Sequence, residues 1–531
     1  MMVVLMKKRK LNLYSLLGAL FLLIFIPVLF CILVWGSRMD YNLATKLVTL
    51  CDNKILFLMC IPVIAVCFSF IYMTRKIELT KRVSVILNIS LVVVFVLMFF
   101  VNLEICKCIN IAQGWDVSVV VGTAYSLVKE IPIGDQNYYS LYPNNVPITF
   151  VLSELFLFAD KLQDFSYVND FMWNIAICLM ISVAGYLTCV SVKKITQNFA
   201  MTVMACFLYI ACVCFTPWKT VPYTDMFSMM FPIMCICLYI LQFYSKNKWL
   251  KYGLWFGTFI TGFVGSLMKP TVLIIPIAIF LCEAVKWIMN LKKCWKEILI
   301  KVMLILAAFL LYQGCKNYIY EEVGYEPAKE CEFTALHFAM MGLNEESTGS
   351  YHSGDVAISG NVPLLKDRTD KQIEVIKERL TEKGFWGYGY FLLRKMVMTF
   401  NNGTFGWARE GGFLYDAYPI YSDGAYVSII RDVFMPDAKY SGYFNTYSQA
   451  VWLFIILCIP GICFVNKEKR EVMMPILVSI LGTIFYLMLF EARARYLLFA
   501  LPVFVLAAVL GMGQYFRMLT NIANKKQKKF D

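Results

Sequence analysis

The 531-residue chain is 60% hydrophobic and only 16% charged, with a mean hydropathy of +0.65. A soluble protein cannot bury that much apolar surface, and apolar runs longer than a bilayer requires recur along the whole length, so the chain reads as an all-α polytopic membrane protein. The net charge of +13 does not point to nucleic acid, because the basic residues cluster in short loops between apolar runs, where cytoplasmic anchors belong.

In chain order, Met1–Lys10 carries Lys-Lys-Arg-Lys and is expected to be cytoplasmic. The run Leu11–Trp35 is too long for a signal-peptide core and ends in Gly-Ser-Arg-Met-Asp without a small-x-small cleavage site, which makes it span one. Spans two and three, Ile55–Met73 and Val83–Val101, flank the basic loop Arg75–Arg82 and complete an N-terminal unit, 1–101. Residues 102–168 then form a loop on the opposite, extracytoplasmic side. After Val117, the apolar positions Val120, Val121, Ala124, Leu127 and Val128 recur at helical spacing, predicting an amphipathic interfacial helix with Asp116 at its N-cap. An aromatic, turn-rich stretch, Pro132–Tyr142, carries Tyr138, Tyr139 and Tyr142. Asn145 as N-cap and Pro147 in the first turn announce a second helix over 146–162, with a thin polar stripe of Thr149, Ser153, Glu154, Asp160 and Lys161.

Whether 146–162 crosses the membrane decides the topology. Its length reaches roughly 24 Å, short of the roughly 30 Å hydrocarbon core. If it stays on the surface, the next span, Asn169–Val192, delivers Lys193 and Lys194 to the inside, and the basic loops 246–251, 286–298 and 467–471 and the tail Lys-Lys-Gln-Lys-Lys join them. The remaining spans are expected at 199–216, 226–245, 252–267, 271–289, 299–314, 451–466, 472–490 and 496–516, about twelve in all, with both termini cytoplasmic. The chain thus divides into N-terminal spans 1–101, the loop 102–168, central spans 169–314, an extracytoplasmic insert 315–450 and C-terminal spans with a basic tail 451–531. Within the insert, Ile373, Ile376 and Leu380 predict a soluble helix over Asp370–Lys383; the following Phe385–Phe400 stretch reads as interfacial because Arg394 and Lys395 interrupt it.

The 19 cysteines form no disulfide framework, since many sit inside apolar runs as small hydrophobes. With His337 and His352 as the chain's two histidines, a zinc site is not expected. The candidates for chemistry are instead carboxylates, aromatics and out-of-place cations. Asp116, beside Trp115, is read as a general base at the interface, against the simpler role of an N-cap. Asp225 opens a span on the same side, where it is an N-cap, a second carboxylate that orients an acceptor, or a ligand for a divalent ion. Arg493 and Arg495 lie outside at a bilayer edge, against the positive-inside trend, and so need an anionic partner. That partner is either Glu491 or a lipid phosphate, which guanidinium matches bidentately. Lys269 is a weaker candidate for the same task.

Gly114-Trp-Asp116, the Tyr-Pro-Asn-Asn-x-Pro helix start at Tyr142–Pro147, and the late Glu-x-Arg-x-Arg-Tyr-Leu…Leu-Pro from Glu491 to Pro502 together resemble the GT-C glycosyltransferases. The closest branch is that of protein mannosyltransferases and bacterial aminoarabinose transferases. The resemblance implies a GT-C-like bundle, a polyprenyl-phosphate-linked sugar donor, a first-loop Asp acting as base, and inversion at the sugar carbon. It casts Asp116 as catalytic, with Trp115, Tyr138, Tyr139, Tyr142, Asp225, Lys269, Arg493, Arg495 and Tyr496 around the substrates. No cofactor is assigned with certainty, and a divalent cation near Asp225 stays open. The chain departs from the mannosyltransferase pattern by placing Val117, not Glu, after the Asp, and by two extra spans ahead of the loop. The expected acceptor is therefore a cell-envelope polymer or lipid rather than a protein, and the expected location the bacterial plasma membrane. The rival readings are an envelope-lipid transporter or flippase, for which Glu283 is the main acid within a span, and an envelope polymer ligase using His337 or His352.

Overall fold

The computed structural model describes residues 13–39, 47–130, 136–162, 171–362, 364–407, 409–415 and 424–530. The basic stretch Met1–Lys10, most of the turn after Glu130 and the expected span start at Asn169 lie outside these residues. The described residues contain no β-strand. Ten helical segments are long and apolar enough to span a bilayer: Leu13–Gly36, Asn53–Met73, Lys81–Cys108, Met172–Thr196, Thr224–Tyr244, Pro270–Lys292, Cys294–Glu322, Ser441–Phe464, Lys467–Leu489 and Ala494–Ala523. The protein is therefore a multi-pass, all-helical membrane protein. The two further spans expected from the sequence, 199–216 and 252–267, are both helical. Phe199–Cys214 is shorter than a full crossing and ends in a π turn, and Lys248–Met268 has 21 residues with lysines in its first turn.

Side chains at the helix ends explain several boundaries. Thr80 and Asn198 accept from the backbone N–H groups of Val83 and Met201, and Asn247 accepts from Trp249 and Leu250, which caps three helix starts. Pro270, after Lys269, ends one helix and opens the next. Pro270–Lys292 and Cys294–Glu322 are joined by one 49-residue helix, Ile274–Glu322, bent where Asn290 leaves helical geometry. The segment Ala494–Ala523 is the central helix, with 89% of its apolar window buried, whereas 53–73, 81–108 and 294–322 are mostly exposed, as lipid-facing helices are. Against that central helix, Gly461 and Gly511 let two backbones touch: a Cβ on Gly461 would lie 2.2 Å from the Gly511 carbonyl oxygen.

The helices Lys81–Cys108 and Met172–Thr196 are antiparallel. Cys106 and Cys178 meet at 3.9 Å at one end, and Lys193 reaches Ser84 at 3.3 Å at the other. The chain between them, including helices Trp115–Val128 and Val146–Leu162, therefore starts and finishes on one face and makes no net crossing. On the other face the basic loops meet: Lys286 pairs with Glu471 at 2.7 Å, and Arg470 lies 5.8 Å from the Tyr14 ring.

The insert sits on the Asp116 face. Its long helix Leu365–Phe400 covers the predicted 370–383 segment and kinks at Gly384, whose φ of +58° suits glycine. The insert is clamped to the last turn before Glu491. Lys395 donates to the carbonyls of Gly342, Met488 and Phe490, while the N–H groups of Glu491 and Ala492 donate to Phe338 and Gly349. Burial draws the Lys395 ammonium down to about 7.

Candidate functional site: a charged cavity at one end of the bundle

A cavity of about 1030 Å³ opens on the Asp116 face, walled by the loop helices, the ends of several spans and the insert. Asp116 reaches it from the first turn of Trp115–Val128. The N-cap is Gly114, not Asp116, and Gly114 makes no side-chain cap. Phe413 explains this arrangement: a Cβ on Gly114 would come within 2.5 Å of its ring. Trp115 follows at a φ of +50°, a strained conformation for a non-glycine residue, and turns its indole toward Arg495 with 5.1 Å from guanidinium carbon to ring centre.

Freed from capping, the Asp116 carboxylate accepts a 3.0 Å hydrogen bond from the Tyr223 hydroxyl. Asn145 lies behind this pair. Expected to be an N-cap, it instead donates its amide to Tyr138 (2.5 Å) and Tyr223 (3.4 Å), while its oxygen accepts from Asn144. Burial raises the Asp116 pKa above the ordinary carboxylate value; the Tyr223 bond and Arg495 pull against it, and Glu491 adds to it. Burial and the neighbouring Asp116 hold the Tyr223 phenol well above its usual range, so it remains a donor.

Beside Asp116 lies a cluster of three cations and three carboxylates. Asp225 bonds Lys269 at 2.7 Å and Arg495 at 2.9 Å. Glu410 bridges Arg495 at 3.1 Å and Arg493 at 3.5 Å, and Glu491 holds Arg493 at 3.1 Å. Asp225 is therefore not an N-cap; Tyr223 occupies that position. With cations on both its oxygens, Asp225 would hold a divalent ion only by displacing one of them. The out-of-place arginines are each matched by two carboxylates, and Glu491 is one of those partners, as the first sequence alternative held.

Of the predicted residues, Trp115, Asp116, Tyr142, Lys269, Arg493, Arg495 and Tyr496 line the cavity, with Lys269 4.8 Å above the Tyr496 ring. Asp225 stands just behind, gripping two of them. Tyr138 packs between Tyr139 and Tyr142 and supports Asn145. Tyr139 is fully buried and bonds Thr149 at 2.9 Å, so it is a packing residue. Sequence reading missed Tyr223 and Glu410. It also missed the wall formed where the 49-residue helix ends, with Tyr312, Gln313, Lys316, Asn317 and Tyr320.

The features behind the rival readings fall elsewhere or are neutral. His337 lines the cavity but stacks on Phe333, bonds Ser359 at 2.7 Å, and is drawn down by burial to about 4. His352 lies outside the cavity lining and pairs with Glu346. Glu283 is neutralised by Lys286 and Lys301.

The chain belongs to a family described as conserved hypothetical integral membrane proteins, whose model matches residues 5–516. Comparison with curated proteins and with solved structures finds no match.

Proposed function

We propose that the protein is a membrane glycosyltransferase that moves a sugar from a polyprenyl-phosphate-linked donor to a cell-envelope acceptor. One observation carries the reading. A carboxylate with a raised pKa, oriented by a tyrosine, shares the wall of a cavity with two arginines at the end of a membrane bundle. A base poised above the ordinary carboxylate range suits proton removal from a hydroxyl. The volume, at the upper end of small-molecule sites, suits a sugar phosphate together with its acceptor.

In the proposed step, Asp116 takes the proton of an acceptor hydroxyl as that oxygen bonds the anomeric carbon. The bond from that carbon to the phosphate oxygen breaks on the opposite side, which inverts the centre. The leaving lipid phosphate carries away the electron pair, and Arg493, Arg495 and Lys269 offset its charge. Trp115 and Tyr142 offer aromatic faces to the sugar ring. The Asp116 face is extracytoplasmic in this account, because the basic loops gather at the other end, and the membrane is the bacterial plasma membrane.

The test is transfer in membranes containing the protein, supplied with radiolabelled polyprenyl-phosphate sugars and a panel of envelope polymers and lipids. The account expects label on one acceptor class. Label that stays on the donor across the panel, while donor moves between leaflets, would replace the enzyme reading with a flippase.

A further inference from the structure

The arginine pair is met by three carboxylates, one of which, Asp225, is shared with Lys269. Arg495 has Asp225 at 2.9 Å and Arg493 has Glu491 at 3.1 Å, each from elements at the bundle end. Glu410 arrives separately, on the insert, and lays one oxygen between both guanidinium groups, 3.1 Å from Arg495 Nε and 3.5 Å from an Arg493 terminal nitrogen. With Glu410 in place, Lys269, Arg493 and Arg495 face three carboxylates. With it withdrawn they face two, and one positive charge is left uncompensated on the cavity wall between two guanidinium forks.

The local backbone is built to aim that oxygen. Gly406 adopts a φ of +82°, and the Glu410 N–H closes a turn onto its carbonyl at 3.0 Å. The Glu410 side chain folds back so closely that a Cβ on Gly406 would lie 2.6 Å from its Oε1. The base of the loop is pinned separately, where the Trp218 indole N–H donates to the carbonyls of Thr404 and Phe405, both at 3.1 Å. The Glu410 side chain and the base of the loop are thus held by separate contacts.

We propose that the space between Arg493 and Arg495 is a lipid-phosphate site, for the diester of the donor and the monoester it leaves, held closed by an internal anion. The Glu410 carboxylate occupies the position that a phosphate oxygen takes, and it swings away when the ligand arrives. The inference rests on reading the cavity as the seat of a polyprenyl-phosphate donor, and adds to it a residue that sets affinity for the lipid phosphate, read below on the monoester that the donor leaves, by competition.

The experiment measures binding of a short-chain polyprenyl monophosphate to the full-length protein in detergent, wild type against Glu410→Gln. Because apparent affinity scales with the fraction of molecules whose site is vacant, the variant should bind at least about tenfold more tightly. Adding Arg493→Ala to it should abolish the gain. Inorganic phosphate at millimolar concentration should compete in Glu410→Gln, which separates recognition of the phosphate from recognition of the chain; failure to compete would assign the affinity to the lipid and overturn the site. Should the variant not fold, hydrogen exchange on wild type decides: the amides of 409–413 should exchange faster with the monophosphate bound, and unchanged or slower exchange would overturn the proposal. Wild-type binding with no gain in Glu410→Gln removes the internal anion and leaves the donor reading intact. Binding by neither protein removes both.

Discussion

Two charge clusters sit at opposite ends of the same bundle. On the basic face, Glu283 pairs with Lys286 and Lys301 and accepts from Tyr239, while Glu471 and Glu297 complete the set. Lys301 rests 5.1 Å from the Trp255 ring centre, and none of these residues borders the cavity. On the other face a cluster of similar size, Glu410 and Glu491 with Lys269, Arg493 and Arg495, backed by Asp225, forms the wall of that cavity beside Asp116. Both clusters stitch helices together. The difference is in what they face: one buries Glu283 and Lys301 and leaves Glu297 and Glu471 half exposed at the bundle surface, whereas the other turns its charges toward an internal space large enough for substrates. Ion pairing alone therefore does not single out a site here; in the proposed reading, pairing at a cavity wall does.

The largest expected effect tests whether the cavity cluster also supports the fold. Arg495→Ala leaves Asp225 and Glu410, both deeply buried, facing one cation fewer, and should cost about 3–5 kcal/mol, read as a large drop in thermal midpoint. An unchanged midpoint would contradict the burial of this pair.

Next comes His337, which lines the cavity as a neutral side chain. Burial draws it down to about 4 from an ordinary 6.5, so as pH falls the unfolded chain takes the proton first. The stability it contributes is complete above 6.5 and is lost as pH falls through about 4, a change of roughly 3 kcal/mol. Denaturation profiles of His337→Gln should be flatter than wild type across that window.

On the basic face, Glu283→Gln should cost about 1.5–3 kcal/mol by loosening Lys286 and Lys301. Sugar transfer per folded molecule should be unaffected. A specific loss of transfer in this variant would erase the distinction between the two ends.

The smallest shift is expected at Tyr223. Its hydrogen bond favours the ionised form of Asp116, so Tyr223→Phe raises that pKa, and the acid limb of the transfer rate moves to higher pH. A limb that stays in place would mean that Asp116 is not the titrating base.

The bundle was legible because hydropathy and length are properties of contiguous residues. That the chain between spans 81–108 and 172–196 makes no net crossing was expected from the parity of basic loops, and the approach of Lys193 to Ser84 shows the geometry behind it. Arg493 and Arg495 stood out because a charge at a span edge is costly wherever it points. Glu410 had no such signature. It lies in a loop without periodicity, 85 residues from Arg495, and only the fold brings them to 3.1 Å. Tyr223 was hidden among 31 tyrosines spread along the chain, with no local pattern to set it apart. Tyr139 was misread for the reverse reason: helix Gln136–Leu141 has six residues, too few for periodicity to show which ring faces the cavity and which the core.

The most direct test of the account is Asp116→Asn in the labelled transfer assay. Asparagine keeps the size and an acceptor for the Tyr223 hydroxyl but cannot take a proton, so folding and donor binding should persist while transfer falls by roughly 10²–10⁴. Near-normal transfer by a normally folded Asp116→Asn protein would show that the proton goes elsewhere and that Asp116 serves the structure alone.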